Sequence, residues 1–383
     1  MHTGDAGAVT PPTRRVLYDL QHPAELFRHL GPNWYATVMG TAIVANAGAT
    51  LPVHVPGLRV WVTAVWALSL VMLVALVAAR LVHLTAHREQ ARRHLMNPAV
   101  APFYGCPPMA MLAVGAGTML VGKDVIGVDA ALVLNSILWT AGTLMGVLVA
   151  VAVPFLMITR HDLDPQSAST TWLLPVVAPM VSAATGPLLI PHLPAGQWRE
   201  AMLLGCYGLF GMSLLATMLI LPGVWSKLAY HKVGPLQMTP TLWLVLGPLG
   251  QSTTAANALA DVCCGAVDDR LKEGLQVFGI VYGVPVMGFA LLWMALAAAI
   301  TVRAFIDRMP FALTWWGFTF PVGTCVTGVS ALSRHTGLDA FTGLAAALYT
   351  LLLVAWAVTW IRTVRGALRG HLFLPPAPPP QKD

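Results

Sequence analysis

Ten runs of about 20 apolar residues follow one another along this chain, and none carries an ionisable side chain near its middle. A bilayer core about 30 Å thick takes roughly 20 apolar residues per helix. In lipid a helix satisfies its own backbone hydrogen bonds, so such runs read as helices. They lie at 32–51, 59–82, 103–122, 130–158, 172–190, 199–221, 241–262, 272–302, 311–333 and 340–361. The long fourth and eighth runs tilt or extend past the bilayer. Hydrophobic residues make up 57% of the 383 and charged residues 10%, against about 25% charged in soluble domains. The expected fold class is therefore an all-α polytopic membrane protein with ten transmembrane helices. Soluble enzymes and nucleic-acid binders are excluded, and the lipid bilayer is the first partner.

The net charge of +6 fits basic cytoplasmic loops as readily as a nucleic-acid footprint. Sixteen of the 22 Lys and Arg lie at the termini and in the even-to-odd loops, and six in the odd-to-even loops. Both termini are expected in the cytoplasm by that bias. The first thirty residues lack the pattern of a signal peptide. Residues 1–30 read as an N-terminal arm, with 22–30 as a short interfacial helix, 31–365 as the membrane domain, and 366–383 as a proline-rich tail. The five cysteines show no paired spacing, so neither a disulfide framework nor a zinc site is indicated.

Odd-numbered runs begin near 32, 103, 172, 241 and 311, which is 71, 69, 69 and 70 residues apart. A fixed period points to a repeated unit. The unit is a helical hairpin that crosses twice, so all units share one orientation, related by an axis along the membrane normal. Five such hairpins make a quasi-fivefold ring around a central pore, one helix of each pair inside. Tight loops alone would also give rough periodicity.

The odd runs carry most central prolines, including Pro179 and Pro321, and polar stripes. Proline frees a backbone carbonyl, which is tolerated beside a cavity or a satisfying neighbour. Asn33, Thr37 and Thr41 recur at i, i+4, i+8 in the first run. Gly247, Gln251, Thr254 and Ala258 share a face in the seventh. Thr324 and Thr327 follow Phe320 on one face of the ninth. Thr37, Gly40, Thr41, Pro179, Gly247, Gln251, Thr254, Pro321 and Thr324 are the candidate pore-lining residues. Interhelical hydrogen bonding explains any single hydroxyl equally well. Even runs carry Gly142-x-x-x-Gly146, Gly279-x-x-x-Gly283 and the trio Gly205, Gly208, Gly211, which allow close packing within the chain or against another subunit.

The apolar runs lack the intramembrane carboxylate or His of ion-coupled carriers, the paired His of a b-type haem, and a lysine for a Schiff base. Neither H-E-x-x-H nor G-x-x-x-x-G-K-[ST] occurs. No cofactor or metal is expected, and no catalytic residue. A lumen without carboxylates offers cations nothing, whereas hydroxyls, amides and the positive ends of broken helices stabilise anions weakly enough to let them leave. The expected function is a channel or facilitator for small anions.

Several stretches carry a resemblance: Gly31-Pro32-Asn33-Trp34-Tyr35 running into Val38-Met39-Gly40-Thr41, the segment 94–117, WLLPVVAPMVSAATG at 172–186, GPLGQS at 247–252, and Trp315-Trp316 with Thr319-Phe320-Pro321. In order and spacing these resemble the tellurite-resistance/dicarboxylate transporter family, which includes yeast malate permeases, fungal sulfite exporters and plant slow anion channels. The resemblance implies the five-hairpin ring with odd helices inside, a homotrimer with one pore per subunit, a plasma-membrane location, and an aromatic plug in the pore. Phe320 matches the plug position, with Phe318 as the fallback. The implied substrate is a C4-dicarboxylate such as malate, the alternative a small inorganic anion: chloride, nitrate, sulfite or tellurite. A membrane enzyme or receptor on the same helices is the third reading. His161-Asp162 with Asp164 is the nearest thing to its machinery, and loop solvation accounts for that cluster.

Overall fold

A computed structural model describes residues 28–263, 267 and 269–374. The expected arm through 27, with most of the interfacial helix, and the proline-rich tail from 375 lie outside the described residues. Among those residues the chain is all-helical. Ten helices dominate: α1 Tyr35–Thr50, α2 Leu58–Ala86, α3 Cys106–Gly117, α4 Val128–Thr159, α5 Leu173–Thr185, α6 Gln197–His231, α7 Leu246–Asp261, α8 Asp269–Ile306, α9 Phe320–Thr336 and α10 Asp339–Arg369. A short polar helix, Arg88–Met96, follows α2.

Local sequence sets the helix ends. Prolines stand in the first turn of α3 and α9, where the missing N–H would have no helical partner anyway. Leu51, before Pro52, leaves the helical region at ψ 135° and ends α1. Gly337 and Gly370 adopt left-handed φ of 67° and 98° after α9 and α10, the conformation a closing residue needs and glycine adopts without strain.

The odd helices share a device the sequence did not announce. Each is led into by a 3-10 turn: Pro32–Trp34, Ala101–Gly105, Thr170–Trp172, Leu236–Val245 and Leu313–Phe318. As a result α1, α7 and α9 hold only 16, 16 and 17 residues of regular α-helix, roughly 24–26 Å at the α-helical rise. Seven helical segments are long and apolar enough to cross a membrane, rather than the ten expected: the five even helices with Ala101–Ile126 and Thr170–Leu188. The shortfall falls on α1, α7 and α9, whose apolar runs are diluted by polar residues such as Asn46, Gln251, Asn257, Thr327 and Ser330.

Packing separates the two classes. α1 packs on α3, α3 on α5, α5 on α7, α7 on α9 and α9 on α1. Each even helix packs on the odd helix before it and on the next one, with α10 returning to α1. The odd helices are buried nearly all round, while the even helices are buried on one face. In α4 the inner face holds Gly142, Gly146, Val149 and Val153. Its outer face exposes Leu144, Leu148, Val151 and Phe155. In water each such side chain would forgo about 1.5–3 kcal/mol of burial; lipid removes that cost.

Gly142 and Gly146 meet Leu112 of α3 and Ala178 of α5, and Gly279 and Gly283 meet Asn257 and Leu332. These pairs seat even helices on odd ones. Gly205, Gly208 and Gly211 do not take the first of their two expected roles, packing within the chain: a Cβ at any of them would meet nothing within 4 Å in this chain.

Candidate functional site

Two cavities lie among the odd helices, and every odd helix or its continuing turns contributes to both. The smaller, about 20 Å³, is bounded by Met39, Cys106, Leu174, Leu244 and Phe320. All stand at the N-terminal ends of their helices. The larger, about 220 Å³, lies at the C-terminal ends and is lined by Asn46, Thr185, Gln251, Thr254 and Thr327, with exposed Arg334 and Asp261 at its rim. The two differ in chemistry: apolar groups and a phenyl ring close the first, while amides and hydroxyls line the second.

Helix geometry connects them. Phe320 and Thr327 are seven residues apart on α9, two turns along one face, or about 10 Å. On α7 the face runs from Leu244 through Gly247 to Gln251, Thr254 and Ala258. Gly247 is buried, yet a Cβ placed there would meet no atom within 4 Å. Open space therefore lies beside α7 between the two cavities. Phe320 is 2% exposed and forms part of the wall of the smaller cavity.

The other candidates separate by position. Gln251 and Thr254 line the larger cavity, and Phe320 and Pro321 the smaller. Thr324 turns to α7 and donates its hydroxyl to the carbonyls of Pro321 at 2.6 Å and Leu246 at 3.2 Å. Thr37, Gly40, Thr41 and Pro179 line neither cavity. Thr37 donates to the Trp34 carbonyl at 2.8 Å, and Thr41 donates to that of Thr37 while accepting from the Trp356 indole at 3.2 Å. Gly40 is the seat of the Trp316 ring. The α1 face that reaches the cavities is Met39, Ile43, Asn46 and Thr50. The mid-helix amide of Asn46 was the available signal for it. Phe318 points elsewhere, edge-on to Trp243 at 5.6 Å and Trp315 at 5.9 Å.

At the rim, Asp261 pairs with His335 at 2.5 Å, and Arg334 donates to the Thr50 carbonyl at 3.1 Å. At the opposite end, buried Arg80 donates to the Leu30 carbonyl at 2.7 Å and to Tyr104 Oη at 2.9 Å. His94, on the short polar helix, stacks on His83 with ring centroids 5.5 Å apart. Burial, then the charges of Arg80, His83 and His29, pull its pKa down to about 4. The cluster at 161–164 is occupied structurally. His161 Nε2 lies 3.2 Å from the Leu95 carbonyl. Asp164 caps the turn Pro165–Ser167, and the Ser167 hydroxyl holds its carboxyl below the usual carboxylate range. No cluster of three or more His, Cys, Asp or Glu suited to a metal lies among the described residues.

The family described as voltage-dependent anion channel, SLAC1, matches residues 29–364. The chain belongs to this anion channel family. Among its relatives, an uncharacterized transporter of Methanocaldococcus jannaschii is 25% identical over 351 residues, covering 91% of this chain and 96% of that protein. A sulfite efflux pump of Arthroderma otae is 26% identical over 349 residues, 89% of this chain and 92% of the pump. A malic acid transport protein of Schizosaccharomyces pombe is 23% identical over 233 residues, 58% and 52% of the two chains. The matched region contains all ten helices up to the last turn of α10, and both cavities. Among the described residues the one carboxylate lining either cavity is Asp261, at the rim of the larger and paired with His335.

Proposed function

We propose that the protein is a passive membrane permease or channel for small anions, in which the five odd helices ring a central pathway closed by Phe320. The observation that carries this reading is the pair of cavities. Each is bounded by all five odd helices or their continuing turns, with Phe320 in the wall of the smaller and open space beside Gly247, one turn before Gln251 of the larger. The cyclic packing of odd helices supports the ring. A phenyl ring across a narrow apolar neck blocks by bulk and by dewetting, and its rotation admits a solute.

Within this reading a small inorganic oxyanion such as sulfite is the lead substrate. The sulfite pumps are similar over nearly the whole chain, the malic acid transporter over 58% of it. Malate is the second reading and rests on that shorter likeness. The protein sits in the plasma membrane with both termini cytoplasmic, an orientation the Lys and Arg bias supports. It forms a homotrimer, for which the large apolar groove between α6 and α8, about 820 Å³ beside Trp225 and Phe289, offers a contact surface.

Flux of labelled sulfite, malate and chloride into liposomes holding the purified protein tests the reading. Anion uptake collapsed by an opposing membrane potential is the expected result. Folded protein that passes none of the three would overturn it.

A further inference from the structure

We infer that Gln251, with the Thr254–Thr327 hydroxyl pair, is the anion-recognising station of the pathway, and that it takes singly charged oxyanions in preference to dianions. The inference rests on the proposed pathway and adds which residue discriminates within it, sulfite then crossing as its hydrogen sulfite monoanion.

Gln251 is 4% exposed, and what it exposes faces the larger cavity. Among the described residues its amide has no hydrogen-bond partner. The amide is open to the cavity rather than sealed in the wall, so a ligand or water completes it in use. Its NH₂ supplies two donors. One turn on, Thr254 Oγ1 lies 2.7 Å from Thr327 Oγ1 of α9, and these hydroxyls also reach the Gly250 and Thr324 carbonyls at 3.0 Å. Two protons are shared among three acceptors, so the pair can turn one O–H toward an anion by giving up one carbonyl bond. Converging amide and hydroxyl donors suit a solute with several lone-pair oxygens.

The same walls limit its charge. The cation nearest the cavity is at the rim: Arg334, held by the Thr50 carbonyl, with the Asp261–His335 pair near it. Asp261 is ten residues beyond Gln251 on α7, about 15 Å along the helix. The station is therefore neutral. Desolvation rises with the square of the charge, so a dianion costs about four times what a monoanion does, with no buried cation to offset it.

The test is anion flux in liposomes with the full-length protein. Wild type should pass nitrate at least about tenfold faster than sulfate. Gln251→Leu should lower nitrate flux about tenfold, as expected for losing a hydrogen bond to a charged group, and Gln251→Asn should restore part of it. A size-exclusion profile and thermal unfolding matching wild type report folding in each variant. Unchanged nitrate flux in Gln251→Leu, or sulfate flux equal to nitrate in wild type, would overturn the station while leaving the pathway standing. Loss of flux for every anion in wild type would remove the pathway, and the station with it.

Discussion

Trp316 lies on Gly40. A Cβ at Gly40 would come within 2.5 Å of Trp316 Cε3. The indole Nε1 donates to Thr363 Oγ1 of α10 at 3.0 Å. The turn carrying Trp316 is thus pinned on two sides, four residues before Phe320. Gly40 touches this ring and lines neither cavity.

Gly40→Val should push the indole off its seat and loosen the turn that positions Phe320. The expected outcome is a raised basal anion conductance together with a lower Tm. Single-channel or liposome currents beside thermal unfolding in nanodiscs check it; a lower Tm with unchanged conductance counts against the coupling.

The two aromatic candidates should behave differently. Phe320→Ala empties the smaller cavity and should yield constitutive anion current. Phe318→Ala leaves that cavity intact and removes a ring packed between Trp243 and Trp315. It should cost about 3–5 kcal/mol of stability without opening the protein. Current and unfolding measured on both variants separate the two roles.

His94 gives a pH dependence of defined sign. Its folded pKa is near 4 against 6.5 in the unfolded chain. Between those values the unfolded chain binds more protons, so stability falls as pH drops through that window. The ring is only about half buried, so solvent screening keeps the effect below the full linkage value. Thermal unfolding at pH 7 and pH 5 should show a larger loss for wild type than for His94→Gln.

Gly250 and Gly205 make a steric contrast. A Cβ at Gly250 would run into the backbone of Thr324, whereas one at Gly205 meets nothing. Gly250→Val should separate α7 from α9 and lose folded protein on size-exclusion chromatography. Gly205→Ala should be neutral, or stabilising by about 0.5–1 kcal/mol through helix propensity.

Much of this was legible in the sequence. The runs of even helices, the seventy-residue spacing and the α7 face through Gly247, Gln251 and Thr254 all follow from hydropathy and 3.6-residue periodicity. The α1 face did not. A stripe at i, i+4, i+8 marks a polar side, but Thr37 and Thr41 spend their hydroxyls on the carbonyls of their own helix turn and on Trp356. Hydroxyl spacing cannot distinguish that from a lumen. The 3-10 turns were equally hidden, because tightening the turn that leads into a helix changes hydrogen-bond register and not composition. Gly205, Gly208 and Gly211 have the spacing of a packing motif, and only tertiary placement shows that they meet nothing in this chain.

The shortness of α1, α7 and α9 has an electrical consequence. If water reaches the polar wall at Thr327 from one side and the lead-in turns from the other, most of a transmembrane voltage drops across the roughly 10 Å between Thr327 and Phe320. A solute crossing that neck would then meet nearly the whole potential, about 2.3 kcal/mol per unit charge at 100 mV, in a single short step.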